Sequence, residues 1–154
     1  MNSRERLLTA LRHKEPDRIP FDIGATVTTG IHEKAYKNLL NYLGIENRKV
    51  VICEYTQQLA AVDEDILARF NIDVRPLYAN TPAHLMPKFF KEGDSEKFYD
   101  QFNIKWRKPL GYGLYFDMEE HPFANFTTVK EVENFEFPDP LEGARYIGVR
   151  ERAH

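Results

Sequence analysis

The chain has 154 residues, of which 42% are hydrophobic and 13% aromatic, so its composition is that of a folded domain and not of a disordered segment. Its net charge of −3 and its lack of a long basic run give no reason to expect binding to nucleic acid or to an anionic membrane. The first residues lack a signal-peptide pattern, and no apolar run approaches the roughly 20 residues that span a bilayer, which predicts a cytoplasmic protein.

The first predicted elements are a helix, a strand and a second helix. A capping box of Asn2 and Glu5 opens the first helix, which ends before Pro16. Alternating apolar side chains predict a strand over residues 19–23. An apolar stripe over residues 31–43 predicts the second helix, with a threonine of the preceding loop as its N-cap and a glycine after its end.

The same alternation continues to the middle of the chain. Residues 49–53 form a β-branched apolar run and are predicted to be extended. A third helix is expected to begin at Asp63 and to close near Asn71, followed by a strand over residues 74–78. Strands that alternate with helices favour parallel pairing and therefore an α/β fold.

The second half has a different period. Apolar and polar side chains alternate over residues 102–107 and again over residues 112–118, with a Pro/Gly turn at residues 109–111 between them. This pattern predicts a β-hairpin. A second capping box, Thr128 with Glu131, predicts a short helix that ends at Pro138.

The candidate binding segment is the run of small residues that joins the first strand to the second helix. Gly24 and Gly30 allow the backbone to approach a ligand closely, and the amides at the following helix start could hold an anion. Asp22 is the polar side chain of the preceding strand. The structural alternative stays open: a tight turn, a threonine helix cap, and an aspartate that accepts backbone hydrogen bonds.

Metal chemistry has little support in the sequence. The chain has five histidines and a single cysteine, Cys53, and no two histidines are spaced four residues apart as they are in a zinc-binding helix. His32 and Glu33 resemble the start of such a motif, but Tyr36 occupies the place of the second histidine. We therefore expect this chain alone to bind no metal or other cofactor.

Four segments resemble, in order, the amino-terminal part of the uroporphyrinogen decarboxylase superfamily. They are RERLLTALRHKEPDRIPFDIGATVTTGIHEKAYKNLLNYLGI, EYTQQLAAVDEDILARFNIDVRPL, YDQFNIKWRKPLGYGLYFDMEEHPFAN and TVKEVENFEFPDP. The similarity is greatest to the corrinoid-linked methyltransferases of methylamine, methanol and aryl-ether demethylation.

The resemblance implies a fold. Members of the superfamily are (β/α)8 barrels, and such a barrel typically takes about 250 residues. Residues 1–154 are therefore expected to be a single partial domain: the entry helices, the first barrel strands and a β-hairpin insertion, with the rest of the barrel absent. We expect such a fragment to be inactive alone and to self-associate through its uncovered apolar strands.

The resemblance also implies a branch of the superfamily. The decarboxylases carry an arginine-rich loop after the first strand, whereas this sequence has no arginine between Arg18 and Arg48. They also carry an aspartate where this sequence has Asn80. Both departures favour the methyltransferases, which use zinc, bound by residues of the later barrel, and a corrinoid protein as partner.

The predicted function is therefore that of the amino-terminal part of a zinc-dependent methyltransferase, which moves a methyl group between a small donor and a corrinoid or thiol acceptor. A tetrapyrrole decarboxylase and a non-catalytic binding module are the alternatives. The resemblance places six residues in a substrate or cofactor pocket, and they are Asp22, Gly24, Thr29, Gly30, His32 and Asn80.

Overall fold

The fold was taken from a computed structural model of the chain, which describes residues 1–153. It divides into two compact units, unit 1 at Met1–Leu77 and unit 2 at Tyr78–His154. Each unit has its own small antiparallel sheet. The expectation that residues 1–154 are one partial domain stays a prediction.

Unit 1 contains three α-helices whose ends follow local capping signals. They are α1 (Ser3–Leu11), α2 (Glu33–Tyr42) and α3 (Glu64–Arg69). The predicted capping box is present at α1, where the Asn2 side chain accepts from the Glu5 amide and the Glu5 side chain accepts from the Asn2 amide. Gly44 follows α2 with φ +72°, which confirms its predicted place at the helix end.

The sheet of unit 1 is short and antiparallel. Its strands are β1 (Ile31–His32), β2 (Ile52–Glu54) and β3 (Leu59–Ala60), in the order β1-β3-β2. β2 and β3 form a hairpin whose turn is held by the Glu54 carboxylate, which accepts from the Thr56 and Gln57 amides at 2.9 and 2.6 Å.

Helices α2 and α3 and strand β3 supply the core of unit 1. Its buried cluster is Tyr36, Leu40, Ala60 and Ile66. The Tyr36 hydroxyl donates to the Asp63 carboxylate at 2.6 Å, so the one polar atom of this buried ring has a partner. Burial of the ring, together with this bond, raises the pKa of Tyr36 to about 12.

Unit 2 is built on a second antiparallel sheet. Its strands, in the order β4-β5-β6-β7, are β4 (Phe90–Glu92), β5 (Ser95–Tyr99), β6 (Lys105–Pro109) and β7 (Asp117–Glu120). Two short helices follow, α4 (Val129–Glu133) and α5 (Val149–Arg152). Single turns of 3₁₀ helix lie at Ala83–Leu85, Pro122–Asn125 and Gly143–Tyr146.

The core of unit 2 is aromatic. Phe98 is buried, and its ring lies 4.9 Å from that of Phe116 and 5.1 Å from that of Phe89, measured between centroids. Trp106 stacks on Phe98 at 6.4 Å. Elsewhere on the same sheet Lys97 and Lys105 form ion pairs with glutamates.

The barrel prediction is wrong for this structure. The sheets are antiparallel and strands do not alternate with helices, so the described residues form no part of a (β/α)8 barrel. Residues 19–23 and 74–78, both predicted as strands, are not strands. Pro20 and Pro76 interrupt them and cannot donate to a ladder, which explains the failure physically.

Other local predictions are confirmed. The third helix begins after Asp63, and Asn71 closes it with φ +52°. Thr128 and Glu131 form the second capping box. The predicted hairpin is present as β6 and β7, although both strands lie a few residues further along the chain than expected and belong to a larger sheet. Over residues 1–153, none of the helices has the length and apolar character that crossing a membrane requires.

Candidate functional site

The predicted binding loop is a closed turn in unit 1. The Gly24 amide donates to the Thr29 carbonyl at 2.9 Å, which joins the two ends of the loop. Gly24 has φ +81°, a conformation that favours glycine. The Ala25 amide donates to Oδ1 of the half-buried Asp22 at 3.0 Å, so one oxygen of this carboxylate has a structural role.

Thr29 stabilises the loop itself. The Thr26 amide donates to Oγ1 of Thr29 at 3.2 Å, and that hydroxyl donates to the Thr26 carbonyl at 3.2 Å. Oγ1 of Thr26 also lies 2.8 Å from Oγ1 of Thr28. The prediction that Thr28 or Thr29 caps α2 is wrong, because these hydroxyls bond within the loop.

Packing leaves no room for a side chain at Gly30. Its φ is −67°, so its conformation does not require glycine. A Cβ at this position would clash with Cδ1 of Leu59, and Leu59 is buried. Close approach to Leu59 therefore accounts for Gly30 without a ligand.

His32 is the N-cap of α2. Its Nδ1 accepts from the Lys34 amide at 3.1 Å, so the proton of the neutral ring belongs on Nε2. The Glu33 amide donates to the Gln58 carbonyl at 2.9 Å. These two amides at the start of α2 therefore have partners within the protein, and anion binding by the amides of residues 30–33 stays a prediction.

Asn80 belongs to unit 2, whereas the other five predicted residues belong to unit 1. Its side-chain amide donates to the carbonyls of Ile147 at 2.7 Å and Ala144 at 3.3 Å. Its Oδ1 accepts from Arg152 at 3.2 Å. The Asn80 side chain therefore holds the carboxyl-terminal turn of unit 2.

The sequence patterns did not predict a cluster of charged side chains in unit 1. The Asp73 side chain is fully buried and accepts from Arg6 at 2.6 Å, Arg18 at 2.6 Å and the Phe21 amide at 2.8 Å. Arg6 also donates to Asp17 at 2.7 Å. This cluster, made of Arg6, Asp17, Arg18 and Asp73, joins residues that lie up to 67 positions apart.

The pKa values of the cluster follow from these contacts. Burial by itself raises the pKa of Asp73, but the hydrogen bonds from the Phe21 amide and Arg18 outweigh it and hold this pKa well below its ordinary value. The hydrogen bond to Asp17 raises the pKa of Arg6. No sequence pattern pointed to the cluster, because the partners of Arg6, the buried residue of α1, lie 11 and 67 positions away in the chain.

The residues that the structure describes do not fit a metal ion. Within 1–153 no three histidine, cysteine, aspartate or glutamate side chains lie close enough to form a metal-binding group. Cys53 is exposed and its thiol donates to the Leu59 carbonyl at 3.5 Å. A catalytic zinc needs three such ligands in one small volume, so we derive no reaction step through zinc.

No protein-family model, curated protein or solved structure matches this chain. The resemblance to the uroporphyrinogen decarboxylase superfamily therefore stays a prediction that depends on the four quoted segments.

Proposed function

We propose that this chain is the amino-terminal part of a methyltransferase related to the uroporphyrinogen decarboxylase superfamily, and that residues 22–30 help to bind its small-molecule methyl donor. The ordered resemblance over residues 4–140 supports the first half of the proposal. The geometry of the loop supports the second half.

The proposed binding role depends on the hydrogen bonding of the two Asp22 carboxylate oxygens. Oδ1 accepts from the Ala25 amide, whereas Oδ2 has no hydrogen-bond partner among residues 1–153. Because the Gly24–Thr29 bond closes the loop beside it, the orientation of Asp22 is fixed by the backbone. A half-buried carboxylate with one unused oxygen is a suitable acceptor for a hydroxyl or ammonium group of a ligand.

The remaining elements of the proposal come from the resemblance. It implies a corrinoid protein as partner and a zinc ion held by residues that these segments do not match. Asparagine at position 80, where the resemblance implies an aspartate in the decarboxylases, favours the methyltransferase over the decarboxylase alternative. A non-catalytic binding module that uses Asp22 in the same way is the second alternative.

The proposal is tested with the full-length gene product. We expect it to methylate a corrinoid protein from methanol, a methylamine or a methoxyaromatic compound, followed by the absorbance of the corrinoid. Asp22→Asn keeps the shape of the side chain but removes its charge, and a charge-assisted hydrogen bond of this kind is worth about tenfold in turnover or apparent affinity.

Asp117→Asn is the matched control, because Asp117 is exposed on β7 in unit 2. It should leave methyl transfer unchanged. Decarboxylation of a uroporphyrinogen without methyl transfer would support the decarboxylase alternative. Donor binding without turnover by the full-length protein would support the binding module.

Association between copies of the chain is also proposed. In unit 1, Ile19, Leu11 and Val51 are 77%, 66% and 57% exposed. Exposed apolar side chains of this size favour contact with another copy, although single ones are common on protein surfaces. Sedimentation velocity should show a concentration-dependent dimer or larger species, and a monomer at all concentrations would refute this.

A further inference from the structure

Unit 2 contains an open cavity that the proposed function does not use. Its volume is about 350 Å³, and it lies between the 3₁₀ turn at Ala83–Leu85 and the end of β5. Leu85 and Met86 contribute apolar surface, and the rings of Phe90 and Tyr99 form one wall. These two rings are stacked, with centroids 6.0 Å apart and planes inclined by 18°.

The loop beneath the cavity is held in one conformation by Asp100. Oδ1 of Asp100 accepts from the amides of Phe102 at 2.8 Å and Ile104 at 3.0 Å. Oδ2 accepts from the Trp106 indole at 2.9 Å. Both oxygens are therefore used within the protein, so the carboxylate is poorly placed to bind a ligand cation as well.

Lys88 is the cation that lines this cavity without an ion pair. Three other lysines of unit 2, Lys97, Lys105 and Lys108, each lie within 4.0 Å of a glutamate oxygen. In the part of the chain that the structure describes, Lys88 has no such partner, and the Tyr99 hydroxyl has no hydrogen-bond partner. An unpaired ammonium and a phenol thus lie at the cavity beside two exposed aromatic rings.

We propose that this cavity binds a small aromatic carboxylate, with its ring against Phe90 and Tyr99 and its carboxylate bound by Lys88. The volume suits a single substituted ring, since ligand pockets begin at about 300 Å³. Aromatic side chains favour ring ligands by offset stacking or edge contacts, and the ammonium sets the sign of the ligand charge. This site is independent of Asp22 and of methyl transfer.

The test uses the whole chain and benzoate as the probe. Titration followed by amide chemical shifts should show saturable changes at Leu85, Lys88 and the turn from Asp100 to Asn103. Lys88→Gln should weaken benzoate binding about three- to fivefold, which is the size expected for one exposed charge contact. Lys91→Gln is the matched control, because it removes an equal charge from β4 at a residue outside the cavity lining.

Two further ligands decide between the possible modes of binding. Benzylamine has a similar ring with the opposite charge, and acetate has the carboxylate without the ring. Both should bind more weakly than benzoate if Lys88 and the aromatic wall act together. Tighter binding of benzylamine, equal effects of Lys88→Gln and Lys91→Gln, or no saturable shift in this region would each overturn the proposal.

Discussion

Units 1 and 2 both contain clustered charged side chains, but they pair them differently. In unit 1 one carboxylate, Asp73, accepts hydrogen bonds from two arginines and a backbone amide that lie far from it in the sequence. In unit 2 two lysines on the central strands β5 and β6, Lys97 and Lys105, share Glu92 of β4 and Glu119 of β7. The first arrangement depends mainly on one carboxylate, Asp73, because only Arg6 has a second carboxylate partner, Asp17, whereas in the second each lysine pairs with both glutamates.

The difference matters because burial makes a missing partner costly. The Asp73 side chain has 0% exposure, whereas Glu92 and Glu119, the carboxylates of the unit 2 cluster, are 57% and 27% exposed. Loss of one member of a buried pair leaves the other charge without compensation, while an exposed pair is screened by water. Unit 1 should therefore be far more sensitive than unit 2 to one substitution in its charged cluster.

The largest expected effect is that of Asp73→Asn. Asparagine nearly preserves the shape but leaves Arg6 and Arg18 without a buried anion, so we expect unit 1 to lose about 3 kcal/mol of unfolding free energy. Hydrogen exchange should show faster exchange across unit 1. Asp117→Asn, at an exposed position in unit 2, is the control. Equal and small effects of the two changes would remove the contrast between the units.

Acid should reveal the same contrast without mutation. The pKa of Asp73 is lowered from an ordinary value of 3.8, despite the opposing effect of burial, by hydrogen bonds that include that from the Phe21 amide. Its contribution to stability is therefore fully present above that ordinary pKa and is lost as the pH falls below it. Thermal unfolding followed by circular dichroism should show a midpoint that falls below pH 4 in the wild type. In Asp73→Asn that acid-dependent fall should be smaller, and an identical fall would assign the acid sensitivity to other carboxylates.

The sequence predicted those features that depend on neighbouring residues. The capping boxes at Asn2 and Thr128 and the helix start at Asp63 are local hydrogen-bond and charge patterns, and all three are present. Strand pairing was not predictable in this way. Residues 19–23 and 74–78 have strand-like apolar patterns but form no ladder. Phe21 of the first segment instead bonds to Asp73, just before the second segment: the Asp73 side chain accepts from the Phe21 amide, and the Asp73 amide donates to the Phe21 carbonyl.

The candidate site was predictable only in outline. A small-residue loop before a helix was recognisable, and the structure shows that loop as a closed turn beside Asp22. The roles of Gly30 and His32 were not predictable, because they depend on Leu59 and on the exact start of α2. The charged cluster around Asp73 was not predictable for the same reason, because its members come together only in the tertiary structure.

A smaller effect is expected from Gly30→Ala. The added Cβ would clash with Cδ1 of Leu59, and Leu59 is buried in unit 1. Overpacking of this kind costs about 1 kcal/mol when a side-chain end can shift. Gly143→Ala in unit 2 is the control, since no atom of the described residues beyond its chain neighbours lies within 4 Å of its Cβ position. Chemical denaturation should show a lower midpoint for Gly30→Ala than for Gly143→Ala. An unchanged midpoint for Gly30→Ala would show that Leu59 moves freely.

The smallest expected effect is that of Lys97→Gln in unit 2. Glu92 and Glu119 lose one cation, but Lys105 remains 3.7 Å from Glu92 and 3.3 Å from Glu119. Because that second lysine keeps both carboxylates paired, the urea midpoint of unit 2 should fall by much less than that of unit 1 in Asp73→Asn. Trp106 is the only tryptophan and lies on β6, so its fluorescence reports unit 2 alone.

Measuring the urea midpoints of these variants at low and high salt tests whether the two clusters differ in their exposure to solvent. Exposed ion pairs are screened at high ionic strength, whereas buried ones are screened much less. Lys97 and Lys105 are largely buried but Glu92 is 57% exposed, so added salt should reduce the difference in urea midpoint between wild type and Lys97→Gln. The gap between wild type and Asp73→Asn should stay nearly constant, because Asp73 has no exposed surface. If salt narrows both gaps equally, then both clusters are solvent-screened and the single-group dependence of unit 1 is wrong.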